Sequence, residues 1–356
     1  MILGFFLPWI LQAVVLLLHV ALPGRWVDGY ARGADGRPLR YRLNGLLVLA
    51  VTVGLAAAAV ALDLVDADLL WQHRWASLVG ACVLGLLFTA WIVLPAPPVK
   101  RSLLADLYLG RPENPQWRGG RVDAKMWLYL GGAALLELNV LSFAAHRQIE
   151  FGQLGAVTIL YGALFTWFVV DYLTFEEVHL YTYDLFAERV GFKLGWGCLV
   201  FYPYFYVVGL WSQAGDPAPG AHTWLLVLAG IVFFTGWTLS RGANLQKHAF
   251  KRDPQAKAFG LLAPQTVSDG ERTLLCGGFW GLSRHVNYLG EILMAVGLTL
   301  ALGQPGDLLP WLYPLYYVAL LVPRERDDDR RCAAKYGPLW DAYRARVARR
   351  IVPWIY

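Results

Sequence analysis

The chain of 356 residues is poor in charge. Asp, Glu, Lys and Arg make up 16% of it, while 57% is hydrophobic. A soluble domain carries about a quarter charged residues, so a water-soluble globular protein is excluded. Cysteine is also scarce. Cys82, Cys198, Cys276 and Cys332 are scattered with no CxxC pair, which leaves neither a zinc site nor a disulfide framework; no metal is expected. The first apolar run, "MILGFFLPWILQAVVLLLHVAL", has no basic residues ahead of it, so it reads as a first membrane span and not as a cleaved signal peptide. The net charge of +5 is modest, and its basic residues fall between apolar runs. That pattern speaks of topology and against nucleic acid. Internal repeats, low-complexity tracts and a separable soluble domain are all missing, so residues 1–356 read as one membrane domain.

What is abundant is aromatic and apolar. Sixteen Trp and eighteen Tyr suit rings placed at two membrane–water boundaries. A helix needs about 20 apolar residues to cross a bilayer. Runs at 2–22, 44–63, 75–95, 126–145, 152–173, 194–212, 222–240, 288–303 and 308–322 meet or approach that length, the last two being short. The stretch 256–280 is apolar in patches but broken by Pro264, Asp269 and Glu271; it reads as a re-entrant or half-helix piece. The expected fold is an all-α polytopic membrane bundle of about nine or ten transmembrane segments. Loops rich in Lys and Arg alternate with loops nearly free of them. Arg25 to Arg42, then Lys100 to Arg121, then Arg189 and Lys193, then Arg241 to Arg284, and finally the C-terminal tail share one side. The positive-inside rule puts the N-terminus outside and the C-terminus in the cytoplasm.

Polar chemistry is concentrated in four stretches. "NLQKHAFKRDP" spaces Lys247 and Lys251 on one helix face, with Arg252 beside them. "GFWGLSRHVNYLGE" sets Arg284, His285, Asn287 and Tyr288 where an apolar helix begins, and a helix N-terminus with Arg and Asn donors is an anion site. "RERDDDRRCAAKYGPLWDAY" adds Arg324, Arg326, Asp327, Asp328, Lys335, Tyr336 and Tyr343. Cations of this kind suit phosphates and imply a pocket for a phosphorylated, water-soluble cofactor. The tail beyond Arg344 reads as solvated, with snorkelling anchors. "DYLTFEEVHLYTYDLFAERVGF" gathers Asp171, Glu176, Glu177, Asp184 and Glu188 near the membrane. A carboxyl group in apolar surroundings serves as an acid at neutral pH; for Glu176 and Glu188 a hydrated loop paired to Arg189 and Lys193 explains them as well. "DLYLGRPENPQWRGGRVDAK" (106–125) reads as a structured turn.

Taken together, these motifs resemble the sterol reductases: the Δ14- and Δ7-sterol reductases, the fungal Δ24(28) enzyme and the membrane half of the lamin B receptor. The resemblance covers roughly residues 100–356 behind the N-terminal helices 1–100. It rests on "DLYLGRPENPQ", the acidic stretch, "QKHAFK", "GFWGLSRHVNYLGE" and "RCAAKYGPLWDAY…RRIVPWIY". It implies NADPH in the polar pocket and a sterol reaching a hydrophobic pocket from the bilayer, with membrane lipids around and no obligatory protein partner. Its cofactor contacts would be Lys247, Lys251, Trp280, Arg284, Asn287, Tyr288, Arg324, Asp328, Lys335 and Tyr336. The implied chemistry is protonation of an isolated alkene followed by hydride addition, with Asp171, Glu177, Asp184 and Glu291 as acid candidates and tyrosines such as Tyr206 behind them. Departures from the family pattern fall at Lys251, Asp327, Glu291, Phe168 and Arg189. The "GFWG" and "LGWG" spellings look more like the Δ7 branch. The rival reading is an S-adenosylmethionine-dependent methyltransferase resembling the isoprenylcysteine carboxyl methyltransferases, whose Arg-His-x-x-Tyr-x-Gly-Glu pattern Glu291 matches. A sterol-binding scaffold is a third. Compact loops favour a bacterial inner membrane, with the endoplasmic reticulum as the eukaryotic counterpart.

Overall fold

The computed structural model describes residues 1–99, 102–216 and 220–356; Lys100 and Arg101, counted above among the loop cations, lie outside them. All nine apolar runs fold as helix. Among the described residues six helices are long and apolar enough to cross a membrane: Ile2–Ala21, Arg74–Val93, Ala124–Phe151, Gly155–Thr174, Phe192–Gln213 and Thr223–Arg252. Gly45–Ala61 and Val286–Ala301 are apolar but shorter. At 1.5 Å per residue they span about 25 Å against a hydrocarbon core of about 30 Å. The ninth run opens the Leu312–Tyr336 helix, whose second half carries "RERDDDRRCAAK". The protein is a polytopic helical membrane protein. Its residues group into two compact units, Met1–Pro219 and Gly220–Tyr356.

In the first unit the Ala124–Phe151 helix is the most buried span. Asp123 caps it, its carboxylate accepting from the N–H groups of Lys125 and Met126 at 3.0 and 3.1 Å, which satisfies donors that a helix start leaves orphaned. The Phe192–Gln213 span is not a regular α-helix. Pro203 lacks an N–H, and the turns around it widen into a π stretch, Gly197–Phe205. Asn139 Nδ2, on the neighbouring helix, donates to the Pro203 carbonyl at 2.8 Å. Two small hairpins interrupt the helical pattern. Arg25–Arg32 pairs with Pro38–Leu43, and Gln116–Trp117 with Val122–Asp123.

In the second unit the stretch 256–280 differs from the expectation. It forms no half-helix until Phe279. Thr266–Ser268 pairs with Thr273–Leu275 as a short antiparallel hairpin, closed by the Asp269-Gly270 turn, with Gly270 at φ 98°. Asp269 Oδ1 accepts from the N–H groups of Glu271 and Arg272. Most of the stretch is exposed. The acids that break its apolar pattern make a water-facing turn, so it is a surface loop and not a re-entrant segment.

Candidate active site

The second unit is built on the close approach of two antiparallel helices, Thr223–Arg252 and Val286–Ala301. Gly236 lies against Gly290, where a Cβ on Gly290 would meet the Gly236 carbonyl oxygen at 2.5 Å. About two turns further along the second helix, Gly297 lies against the backbone of Phe233 in the same way. Without side chains at these crossings the backbones come close enough for the Ser240 hydroxyl to donate to Glu291 Oε1 at 2.6 Å.

The segment leading into the second helix is pinned to the first. Gln246 donates to the Gly277 carbonyl at 3.1 Å and accepts from the Phe279 N–H at 3.0 Å. Gly278 sits at φ 64° directly against that amide, where a Cβ would be 2.3 Å from Gln246 Nε2. Trp280 Nε1 donates to the Ala243 carbonyl at 2.8 Å, and the Trp280 ring centroid lies 5.6 Å from Lys247 Nζ. Asp328 and Lys335 are near enough to act on the Lys247 charge. His285 stacks on Tyr288 with centroids 4.8 Å apart, and its Nε2 lies 3.9 Å from Asp328 Oδ2. Burial and the neighbouring cations Arg284, Lys247 and Arg350 push the His285 pKa down to about 3, so the imidazole is neutral at physiological pH. Burial raises the Asp328 carboxyl against the pull of Lys247 and Arg331. It also pushes the Cys332 thiol, one helical turn on, up to about 12, so that thiol is inert.

The structure thus brings together Lys247, Trp280, Tyr288 and Asp328, with His285 among them. Asn287, next along the same helix, has its Oδ1 shut from water with no hydrogen-bond partner. Lys251 and Arg324 are half-buried and Lys335 is exposed, with Lys335 Nζ 5.1 Å from the Tyr336 ring centroid. Arg284 also has a structural task, and its Nε is left without a hydrogen-bond partner. It is buried, and its guanidinium donates to the carbonyls of Val347 and Ala348 at 3.0 Å each, capping the end of the Pro338–Arg346 helix. Cations, ring faces and an orphaned acceptor carried by one unit are the kinds of group that a nucleotide cofactor uses.

Of the four acid candidates, three lie in the first unit. Asp171 is half-buried near the end of Gly155–Thr174. Glu177 forms an ion pair with Arg25 at 2.6 Å. Asp184 acts on the charge of Lys125. Lys125, only 1% exposed, donates to Asn114 Oδ1 at 3.0 Å and to the Leu185 carbonyl at 2.8 Å. It ties the "ENP" turn to the acidic stretch. Glu188 pairs with Lys193 at 3.0 Å, and Arg189 with Glu113 at 2.5 Å. Glu291 alone of the four lies in the second unit, four residues beyond Asn287 on the same helix.

The family model described as "Ergosterol biosynthesis ERG4/ERG24 family" matches residues 2–356. The chain belongs to this family. The match includes the N-terminal hundred residues, which the motifs alone had left outside. Among its relatives, the Delta(14)-sterol reductase of Arabidopsis thaliana is 31% identical, over 99% of this chain and 98% of the relative. The Delta(14)-sterol reductase of Methylotuvimicrobium alcaliphilum is 31% identical over 99% and 83%. The Delta(14)-sterol reductase TM7SF2 of Mus musculus is 32% identical over 98% and 86%.

Three features of this ERG4/ERG24 member escape a motif reading. Lys125 ends a stretch that reads as a turn, yet it is buried and bonds that turn to the acidic stretch. A charged residue two positions after a capping Asp, at the head of an apolar run, is the available signal. Glu137 sits mid-span with Thr166 donating to its Oε1 at 2.8 Å, and a lone acid in "GGAALLELNVLSF" was visible. The pairing of Glu325 with Arg350 had no local signal at all.

Proposed function

We propose that this chain reduces the Δ14 double bond of a sterol, taking hydride from NADPH and a proton from an acidic side chain. The observation that carries the reading is the gathering of Lys247, Trp280, Tyr288 and Asp328, with His285 among them, at the mouth of a membrane helix, in a chain that aligns nearly end to end with Delta(14)-sterol reductases. Lys247, Lys251, Arg324 and Lys335 would hold the phosphates, the rings of Trp280 and Tyr288 would flank the flat groups, and Asn287 Oδ1 would accept a hydrogen bond. Bound there, NADPH supplies hydride. Arg284 works on this site indirectly, by fixing the tail beneath it.

The protein's own task is the proton. An unconjugated alkene is a poor hydride acceptor, so protonation precedes or accompanies hydride delivery. We assign the donor to Glu291. It shares a helix with Asn287 and Tyr288, and the i, i+4 spacing puts it on the same face as Asn287, one turn further along. The Ser240 hydroxyl fixes the rotation of its carboxyl. Glu291 gives its proton to one alkene carbon, the other carbon receives hydride, and the carboxylate recovers a proton from water after release. Apolar walls keep water from the cationic centre between the two events. Asp171, Glu177 and Asp184 rank below it because Glu177 is paired to Arg25, Asp184 lies near enough to act on Lys125, and none of the three shares an element with the cofactor residues. On this reading the pocket faces the cytoplasm and the sterol arrives through the bilayer.

The "GFWG" spelling leans to the Δ7 branch, whereas the named relatives are Delta(14) enzymes over the whole chain length; the longer comparison decides our choice. The test is calorimetric binding of NADPH and of S-adenosylmethionine to detergent-purified protein, followed by saturation assays on Δ14, Δ7 and Δ24 sterols. NADPH binding abolished by Arg324→Ala, with saturation of the Δ14 sterol, is the expected result. Binding of S-adenosylmethionine without NADPH would overturn the reductase reading in favour of a methyltransferase.

A further inference from the structure

After the last helix, Pro338–Arg346, the chain forms a closed turn. The N–H groups of Arg350, Ile351 and Val352 all donate to the Tyr356 carbonyl oxygen at 2.9, 2.9 and 3.0 Å, and the Tyr356 N–H returns to the Val352 carbonyl at 3.0 Å. At the tip of this turn Trp354 is 83% exposed and Ile355 is 80% exposed. Trp354 also sits at φ 65°, a conformation that a bulky side chain rarely adopts. Strain at such a position persists only where something repays it. Within the chain the exposed indole touches too little to do so.

The height of the tip follows from the bonds that hold the tail. The Ser283 hydroxyl donates to the Ile351 carbonyl at 2.7 Å. The N–H groups of Arg284 and His285 donate to the Arg349 and Arg350 carbonyls at 2.9 and 2.8 Å. These three residues immediately precede the apolar Val286–Ala301 helix. The neighbouring Thr223–Arg252 helix changes from apolar to polar at Ser240, which meets Glu291 about 8 Å along the helix from Val286. The membrane–water boundary therefore lies beside the tail. Trp354 is three residues from Ile351, a reach of at most about 10 Å, and the headgroup layer on each side of a bilayer is about 5–7 Å thick. That interfacial zone is within reach of the tip. Arg346 and Arg349 are exposed in the segment that leads to it. Trp favours this zone, and exposed Arg side chains there attract anionic lipids.

We propose that the Trp354–Ile355 turn, flanked by Arg346 and Arg349, is a docking surface for anionic lipid headgroups of the chain's own membrane. It anchors the tail against the bilayer and holds the carbonyls that receive Arg284 and His285. The assignment is independent of the sterol-reductase reading.

The test uses the full-length protein in proteoliposomes of phosphatidylcholine, with or without phosphatidylglycerol. Trp354→Phe is conservative, and the emission difference between wild type and this variant isolates one indole from the sixteen tryptophans of the chain. The expected difference signal is quenched by lipids brominated near the headgroup end of the acyl chain and spared by aqueous iodide. It loses that quenching in neutral vesicles and in the Arg346→Gln/Arg349→Gln variant. Quenching by iodide would mean an indole in water, and quenching by neither agent would mean an indole covered by protein; each overturns the proposal. Bromolipid quenching that is unchanged in neutral vesicles or in the double variant overturns the anionic-lipid assignment.

Discussion

Arg350 places one guanidinium nitrogen 3.1 Å from each carboxylate oxygen of Glu325, and Glu325 is fully buried. The pair joins the tail to the helix that carries Arg324 and Asp328, while the Arg350 carbonyl receives the His285 N–H. One residue thus fixes the relative placement of two of the three segments from which the candidate cofactor site is built. Arg350→Ala would leave a buried carboxylate without its partner, and we expect a loss of roughly 2–3 kcal/mol, below the full range for buried pairs because Arg350 is partly exposed. Arg350→Met combined with Glu325→Leu should recover most of that stability, since no buried charge is stranded. Thermal unfolding of the detergent-purified variants checks both. A double variant as unstable as the single one would show that packing, and not the charge pair, is what matters.

The glycine crossing makes a second test. In Gly290→Ala the new methyl would sit 2.5 Å from the Gly236 carbonyl oxygen and from the Ser240 amide nitrogen, so the helices must part by a few tenths of an ångström or more. Overpacking of this kind costs about 1–3 kcal/mol. It also lengthens the 2.6 Å contact between Ser240 and Glu291. Turnover should fall while NADPH binding, which draws on residues nearer the helix start, changes little. A variant with normal turnover would separate the crossing from catalysis.

Two buried groups should give opposite pH slopes. Glu176 accepts from the Gly45 N–H at 2.8 Å, and burial pushes its pKa up to about 7 from the ordinary 4.5. Its protonated form is favoured in the folded state, so its contribution is complete below pH 4.5 and is lost as pH rises through 7, by about 3 kcal/mol at 1.36 kcal/mol per pH unit. His285 has its pKa pushed down from 6.5 to about 3. Its neutral form is favoured, so its contribution is present above pH 6.5 and is lost as pH falls toward 3. In the wild type the slopes partly cancel. Glu176→Gln should remove the loss on the alkaline side, and the difference in melting temperature from wild type should grow between pH 4.5 and 7. A pH-independent difference would place the Glu176 titration elsewhere.

The helical fold was legible because every span needs its own long apolar run, and each run is visible without knowledge of its neighbours. The hairpins were not read, although their turns were written plainly. Asp35-Gly36 and Asp269-Gly270 are strong turn pairs, but they lie in stretches judged by charge and not by alternation. Lys247, Trp280 and Asp328 could be named from local motifs, since each sits in a polar run at the edge of a span. The role of Arg284 could not. Its partners are carbonyls of Val347 and Ala348, more than sixty residues on, and a backbone acceptor leaves no mark in the sequence. Glu325 and Arg350 are hidden for the same reason, as two charges among many in a basic tail.

The assignment of Glu291 as proton donor separates binding from chemistry. Gln keeps the size of the side chain and can still accept from the Ser240 hydroxyl, so the helix crossing is preserved in Glu291→Gln, but it has no acidic proton to give. A positioned general acid contributes about 10²–10⁴-fold. Sterol saturation by the variant should therefore fall by at least about 10²-fold, with the dissociation constant for NADPH within a few-fold of wild type. That pattern, a loss in turnover without a loss in cofactor affinity, marks an interaction made only in the transition state. Glu291→Asp retracts the carboxyl by one methylene and should keep part of the activity, because a proton remains available at a longer reach. Full activity in Glu291→Gln would move the donor to Asp171, Glu177 or Asp184. Of these, Asp171→Asn comes next, since Glu177 and Asp184 are already engaged by Arg25 and Lys125.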